Sequence, residues 1–282
     1  MDGVFVVFAT GFAAGGFLIW AILTIRGMFK RSRDLDAAAA KARKEIGEKS
    51  KKARESLGAP RFKKDALQRE QLAVWFDAVR GIHNPVVAAY LQTVLLTGAR
   101  PGEVLAMQWK DLNTKWKGLT IRDKVEGERT IPLTPYLSSL LRDLHRRNET
   151  APTVRRLKTL KGHGREWEPS PWVFSSPTSA TGRLEEPSIA HRKAIAAAGL
   201  PALSLHGLRR SFGSLSEWCE VPVGVVAQIM GHKPSATAEK HYRERPLDLL
   251  RMWHTRIETW ILEQAGIEQP SEEAKPGLKV VA

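Results

Sequence analysis

The chain has a single cysteine, Cys219, and no Cys or His residues at zinc-ligand spacing. An internal disulfide is excluded, a reducing compartment is suited, and any chemistry has to rest on other side chains. Tyrosine is also scarce, with only Tyr90, Tyr136 and Tyr242 present. Tyr90 lies in an apolar run and Tyr136 at a strand-to-helix junction, so both read as packing residues. Tyr242 sits between His241 and Arg243 on a polar segment. Acidic residues are outnumbered: 30 Asp and Glu face 44 Lys and Arg, giving a net charge of +14 and a pI near 10.1. That balance favours a polyanionic partner, either nucleic acid or an anionic membrane surface.

Charge is missing altogether from Val4 to Ile25, about the twenty residues a helix needs to cross a bilayer. The expectation is a transmembrane helix over 4–25. A cleaved signal peptide fits less well, because Met1-Asp2-Gly3 lacks a basic start and the apolar run is too long. Arg26, Lys30, Arg31 and Arg33 follow at once, which by the positive-inside rule leaves the remainder in the cytoplasm, as a single-pass protein of the inner membrane. Asp34 to Gly58 is rich in Ala, Lys, Arg and Glu with almost no large apolar side chains, and residues 26–59 read as a basic, charged helical linker. Gly58-Ala59-Pro60 marks the expected start of the globular domain, residues 60–266, and 267–282 reads as a disordered tail.

Within that domain the pattern is mainly α with a small antiparallel β-sheet, an α+β class. Helical spacing covers Asp65 to Val79, and Asn84 to Thr97 is an apolar helix of the kind buried in a core. A short helix starts at Pro101. Gly118 to Asp123 and Glu128 to Leu133 read as strands around a turn holding Lys124 and Gly127. Pro135 to Arg146 is amphipathic and helical, Arg155 to Glu168 reads as a basic surface loop, and Trp172 to Phe174 as a short strand. Further helices are expected at 187–198, 206–218, 223–230 and 246–264.

Four pieces of this pattern carry chemistry: Leu96-Thr97-Gly98-Ala99-Arg100, His206-Gly207-Leu208-Arg209, Gly231-His232, and Tyr242 within Glu239-Lys240-His241-Tyr242-Arg243. A guanidinium fork can hold two non-bridging oxygens of a phosphate with paired, charge-assisted hydrogen bonds. His206 and Arg209 are three apart, so on one helix both leave the same face. The ordered set resembles the tyrosine recombinase (phage integrase) family, whose motif is an arginine, a lysine, a His-x-x-Arg pair, a second histidine and a nucleophilic tyrosine. A modest departure is Gly207, where family members often carry Asp.

The resemblance implies a catalytic domain that breaks and rejoins double-stranded DNA without metal or other cofactor. It assigns the phosphate clamp to Arg100 and Arg209, proton transfer or hydrogen bonding at the phosphate to His206 and His232, protonation of the 5′ leaving oxygen to Lys124, and nucleophilic attack to Tyr242. It also implies a homo-oligomer, a tetramer on paired sites. Glu103, one helical turn from Arg100, is expected to orient that arginine or a neighbouring loop rather than to react. Family recombinases carry a helical core-binding domain ahead of the catalytic one, and residues 26–59 are too few and too polar to make it. The alternative reading is therefore a membrane-anchored DNA-binding protein, or a truncated integrase remnant, without productive recombination.

Overall fold

In a computed structural model of the chain, the structure describes residues 65–123, 127–162, 164, 166–232 and 245–269, together with Lys41, Lys44 and Glu48. The chain divides into two units, 1–63 and 64–282, and the fold described here is that of the second. The expected span over 4–25 lies outside the described residues, as do all but three residues of the linker and most of the tail. Among the described residues no helix is long and apolar enough to cross a membrane.

The domain is built around one helix. After a 3-10 turn at Arg69–Gln71, α1 (Leu72–Arg80) leads to α2 (Pro85–Thr97), in which every residue from Val87 to Thr97 is buried. Asn84 caps its start, its side chain accepting from the Val86 amide, and Pro85 occupies the first turn where a missing N–H costs nothing. A helix apolar on all sides must be enclosed on all sides. Its polar members bond within the helix: Gln92 donates to the Ala88 carbonyl at 3.1 Å, Thr93 to Ala89 at 2.8 Å and Thr97 to Thr93 at 2.7 Å. The expected packing roles of the two described tyrosines hold. Tyr90 is fully buried, and Tyr136 donates its hydroxyl to Gln92.

Helix α3 (Pro101–Leu105) follows, and then a three-stranded antiparallel sheet in the order β1 (Leu112–Asn113), β2 (Gly118–Asp123), β3 (Gly127–Pro132). Leu119 pairs with Ile131 and Ile121 with Arg129, so alternation places Leu119, Ile121, Ile131 and Arg129 on one face. The three apolar members are buried there. The remaining helices are α4 (Pro135–Glu149), α5 (Val154–Gly162), α6 (Pro187–Ala197), α7 (Leu205–Ser216), α8 (Val223–Met230) and α9 (Leu247–Gln264). Glu258 of α9 reaches the start of α4, where it accepts from Thr134 and from the amides of Tyr136 and Leu137. This carboxylate caps α4 from another helix, which ties α9 to the body of the domain.

Three expectations change. The basic stretch read as a loop forms α5 over Val154–Gly162, with Leu157 and Leu160 half-buried one turn apart and Arg155, Lys158 and Lys161 exposed. The strand expected at Trp172–Phe174 is reduced to an isolated bridge between Gln108 and Trp172. In its place the third strand is Leu112–Asn113, whose two residues are too few to show an alternation.

Candidate functional site

Three chain segments converge at the end of α2. Gly98 takes a left-handed conformation (φ 59°) and turns the chain out of the helix. A Cβ there would lie 2.4 Å from the Phe212 ring, so the position excludes a side chain on space as well as on dihedral angle. Two residues later Arg100 begins α3, with Pro101 in the first turn. Across from this turn α7 starts at Ser204, whose hydroxyl accepts from the Gly207 amide at 3.0 Å. His206 in the first turn of α7 is exposed, and Arg209 on the same face is 8% exposed.

Arg209 joins the segments. Its Nη1 donates to the Gly98 carbonyl at 2.7 Å and to the Met230 carbonyl at 2.8 Å. Both acceptors are end groups of helices, which otherwise lack partners. Helix α8 closes with Gly231 left-handed (φ 75°) and the His232 amide donating back to Ala227 at 2.8 Å, a Schellman turn. The backbone of His232 thus serves as a helix cap while its exposed imidazole projects from the turn. A single guanidinium on two backbone carbonyls thus ties together the segments that bear His206, Arg209, Arg100 and His232. Lys124 and Tyr242 lie outside the described residues.

Arg100 is mounted differently. Glu103 accepts from the Arg100 amide at 2.9 Å and from its Nη1 at 2.8 Å, the orienting contact expected from spacing. The same carboxylate receives Arg129 of β3, Nη1 at 3.2 Å and Nη2 at 2.7 Å. Burial works against the charge of Glu103, but the bonds from Arg129 and Arg100 outweigh it and hold its carboxyl below the usual range. Arg129 also donates from Nε to the Ile229 carbonyl at 3.3 Å, and its guanidinium lies so close under the α8 turn that a Cβ on Gly231 would be 2.5 Å from Cζ. The sequence reading passed over this residue. One signal could have found it: strand alternation places Arg129 on the face of Ile131, where a charge needs a partner.

A second carboxylate grips the start of α7. Asp65 accepts from the Ser204 amide at 3.0 Å and pairs with Arg210, while Arg210 Nε reaches the Asp65 carbonyl at 3.4 Å. Burial opposes the charge on Asp65, yet the bonds from Ser204 and Arg210 bring its carboxyl down to about 2. Gly207 is what lets the segment approach, since a Cβ there would lie 2.7 Å from the Asp65 carbonyl and 2.9 Å from its carboxylate. The departure seen in the sequence at Gly207 thus coincides with an acid supplied from Asp65. Arg210, next to Arg209 in sequence, is the partner of that acid.

The exposed histidines also contrast with two buried ones. His191 accepts from the Trp75 indole at 3.0 Å and His254 meets the Leu96 carbonyl at 2.8 Å. Burial pushes both down to about 4, so they stay neutral and structural. Among the described residues no group of His, Cys, Asp or Glu could hold a metal ion.

A relative in Escherichia coli (strain K12), prophage integrase IntF, is 56% identical over 203 residues, covering 72% of this chain and 40% of the relative. The chain therefore spans about two fifths of that relative's length. Among solved structures, the integrase from mycobacterium phage Brujita is similar at 17% identity with a TM-score of 0.49, covering 74% of this chain and 67% of that one. The XerH site-specific recombinase bound to difH substrate is similar at 20% identity and a TM-score of 0.47, covering 69% and 51%. The model of the phage integrase family matches residues 67–246, the stretch that holds the converging segments, and the chain belongs to that family.

Proposed function

We propose that this chain is the catalytic part of a site-specific DNA recombinase that works through a tyrosine–DNA intermediate. Family membership supports the class of reaction, and one observation carries the assignment of residues. Arg209 Nη1, held between the Gly98 and Met230 carbonyls, fixes in one place the segments bearing Arg100, His206 and His232. Two guanidiniums and two imidazoles so gathered suit a phosphodiester, whose non-bridging oxygens gain charge as it is attacked.

In this reading the Tyr242 hydroxyl oxygen attacks the scissile phosphorus and the bond to the 5′ oxygen breaks, leaving a 3′-phosphotyrosyl link. Lys124 gives its proton to the departing 5′ oxygen, and His206 moves the proton of the tyrosine. Arg100, Arg209 and His232 hold the non-bridging oxygens. Attack by the 5′ hydroxyl of another strand reverses the step and joins new partners. The link stores the bond, so no cofactor is consumed. The partner is double-stranded DNA, gripped by a homo-tetramer on paired sites.

The test is a covalent adduct. The full chain is incubated with nicked duplexes made from its source genome and denatured, and the gel is read for a protease-sensitive protein–DNA species. The adduct is expected from the natural chain and is lost in Tyr242→Phe. An adduct that survives this substitution removes the nucleophile assignment. DNA binding with no adduct from the natural chain supports instead the binding protein or remnant without productive recombination.

Val4 to Ile25 is proposed to anchor the chain in the inner membrane, with the domain on the cytoplasmic side, on its uncharged length and the basic residues after it. The full chain should leave the membrane fraction with detergent and not with concentrated salt. Release by salt alone removes the span.

A further inference from the structure

We infer that Arg129 is a positioning residue that keeps Arg100 electrostatically available to phosphate while bracing the turn that presents His232. The inference rests on the function proposed above and deepens it. Glu103 is one anion with two cations on it: Oε1 receives Arg100 Nη1 and Arg129 Nη1, and Oε2 receives the Arg100 amide and Arg129 Nη2. The three side chains together carry one net positive charge. Without Arg129, the Arg100–Glu103 pair would be neutral, and the carboxylate would repel the same phosphate that Arg100 attracts. The Glu103 side chain is 4% exposed and that of Arg129 is 18% exposed, so solvent screens this charge count less than at a surface pair.

The second half of the role is mechanical. Successive carbonyls at the end of α8 are held by two arginines, Ile229 by Arg129 Nε and Met230 by Arg209 Nη1. The Arg129 guanidinium fills the space that any side chain at Gly231 would enter. The turn bearing His232 is therefore seated on the same guanidinium plane that shares Glu103 with Arg100. One strand residue fixes two groups from different helices, and a bidentate fork with a third donor does this where a lysine cannot.

The experiment compares the full natural chain with Arg129→Gln and Arg129→Lys. Single-turnover adduct formation is measured on a nicked duplex with an ordinary scissile phosphate and on one with a neutral methylphosphonate there. On the phosphate, Arg129→Gln should slow adduct formation roughly 10- to 100-fold, and Arg129→Lys, which keeps the charge, should recover part of that loss. On the methylphosphonate, the Arg129→Gln defect should shrink to within about threefold, because the charge that Arg129 serves has been removed. A purely structural role would slow both substrates alike, and that result overturns the inference. So does an Arg129→Gln protein as fast as the natural chain on the phosphate. Inorganic phosphate gives a readout independent of cleavage: it should raise the melting temperature of the natural chain more than that of Arg129→Gln. If the natural chain forms no adduct, the proposed function falls, and the phosphate shift still decides Arg129, an equal shift in both proteins overturning it.

Discussion

Arg209 and Arg100 present the same guanidinium in opposite mounts. Arg209 is nearly enclosed and held by two neutral carbonyls at helix ends. Arg100, its side chain 33% exposed, is held by a carboxylate that it shares with Arg129. A mount of peptide dipoles does not titrate, so it persists as long as the helices do. A mount built on Glu103 depends on that group staying charged. One arginine is therefore inseparable from the fold, while the other can be adjusted by pH and by neighbouring charge.

The largest effect expected along this contrast is that of Arg209→Ala. It leaves the Gly98 and Met230 carbonyls without this donor in a closed setting, at about 1–3 kcal/mol for each buried unsatisfied group. A melting temperature lower by roughly 10 °C is expected for a domain of this size. A drop of under about 2 °C would show that the carbonyls find other donors and that the mount is not part of the fold.

Glu103→Gln comes next and acts on the other mount. It keeps the shape and removes the charge beneath two guanidiniums, costing about 2 kcal/mol at neutral pH. Glu103 is held below its ordinary value in the folded chain, so its charge contributes stability above the usual carboxylate range and loses it as pH falls through the lowered value. Melting curves of the natural and substituted chains should converge on acidification. A gap that stays constant with pH would mean that the carboxylate holds Arg100 by shape alone.

Asp65→Asn is the smallest of the three. The carboxyl falls from 3.8 to about 2 on folding, so its contribution is complete above pH 3.8 and disappears as pH drops towards 2. With solvent screening at the domain edge, about 1 kcal/mol at neutral pH is expected. Acid titration of stability reads it directly: the natural chain should lose its advantage over Asp65→Asn between those two values. No difference at neutral pH would show that the backbone contact of Arg210 to Asp65 suffices.

The sequence made the centre of this domain legible for a physical reason. A largely apolar run without a charge between Asn84 and Gly98 has one stable solution, a capped and enclosed helix, and Arg100 inherits its place from the turn that ends it. The His206–Arg209 pair was legible because three-residue spacing on a helix fixes a common face. Arg129 was not, because its partners are 26 and 100 residues away and nothing local separates it from the other basic residues. Asp65 was hidden likewise, since its meaning depends on the space left at Gly207, and the sequence shows that glycine only as a departure. Helix α5 escaped because its charges masked two leucines one turn apart. Lys124 and Tyr242 stay on the sequence reading, since they lie outside the described residues.

The grip of Asp65 on the beginning of α7 has a mechanical consequence. The same approach continues at Leu67, whose amide donates to the Ser211 hydroxyl at 2.8 Å, so the first strides of the domain run along the helix that carries His206 and Arg209. Polypeptide arriving at residue 65 is thus moored to that helix before it reaches the hydrophobic interior. Strain at residue 65 would reach α7 first at Ser204, Arg210 and Ser211, so the entry to the domain and the start of that helix move as one unit.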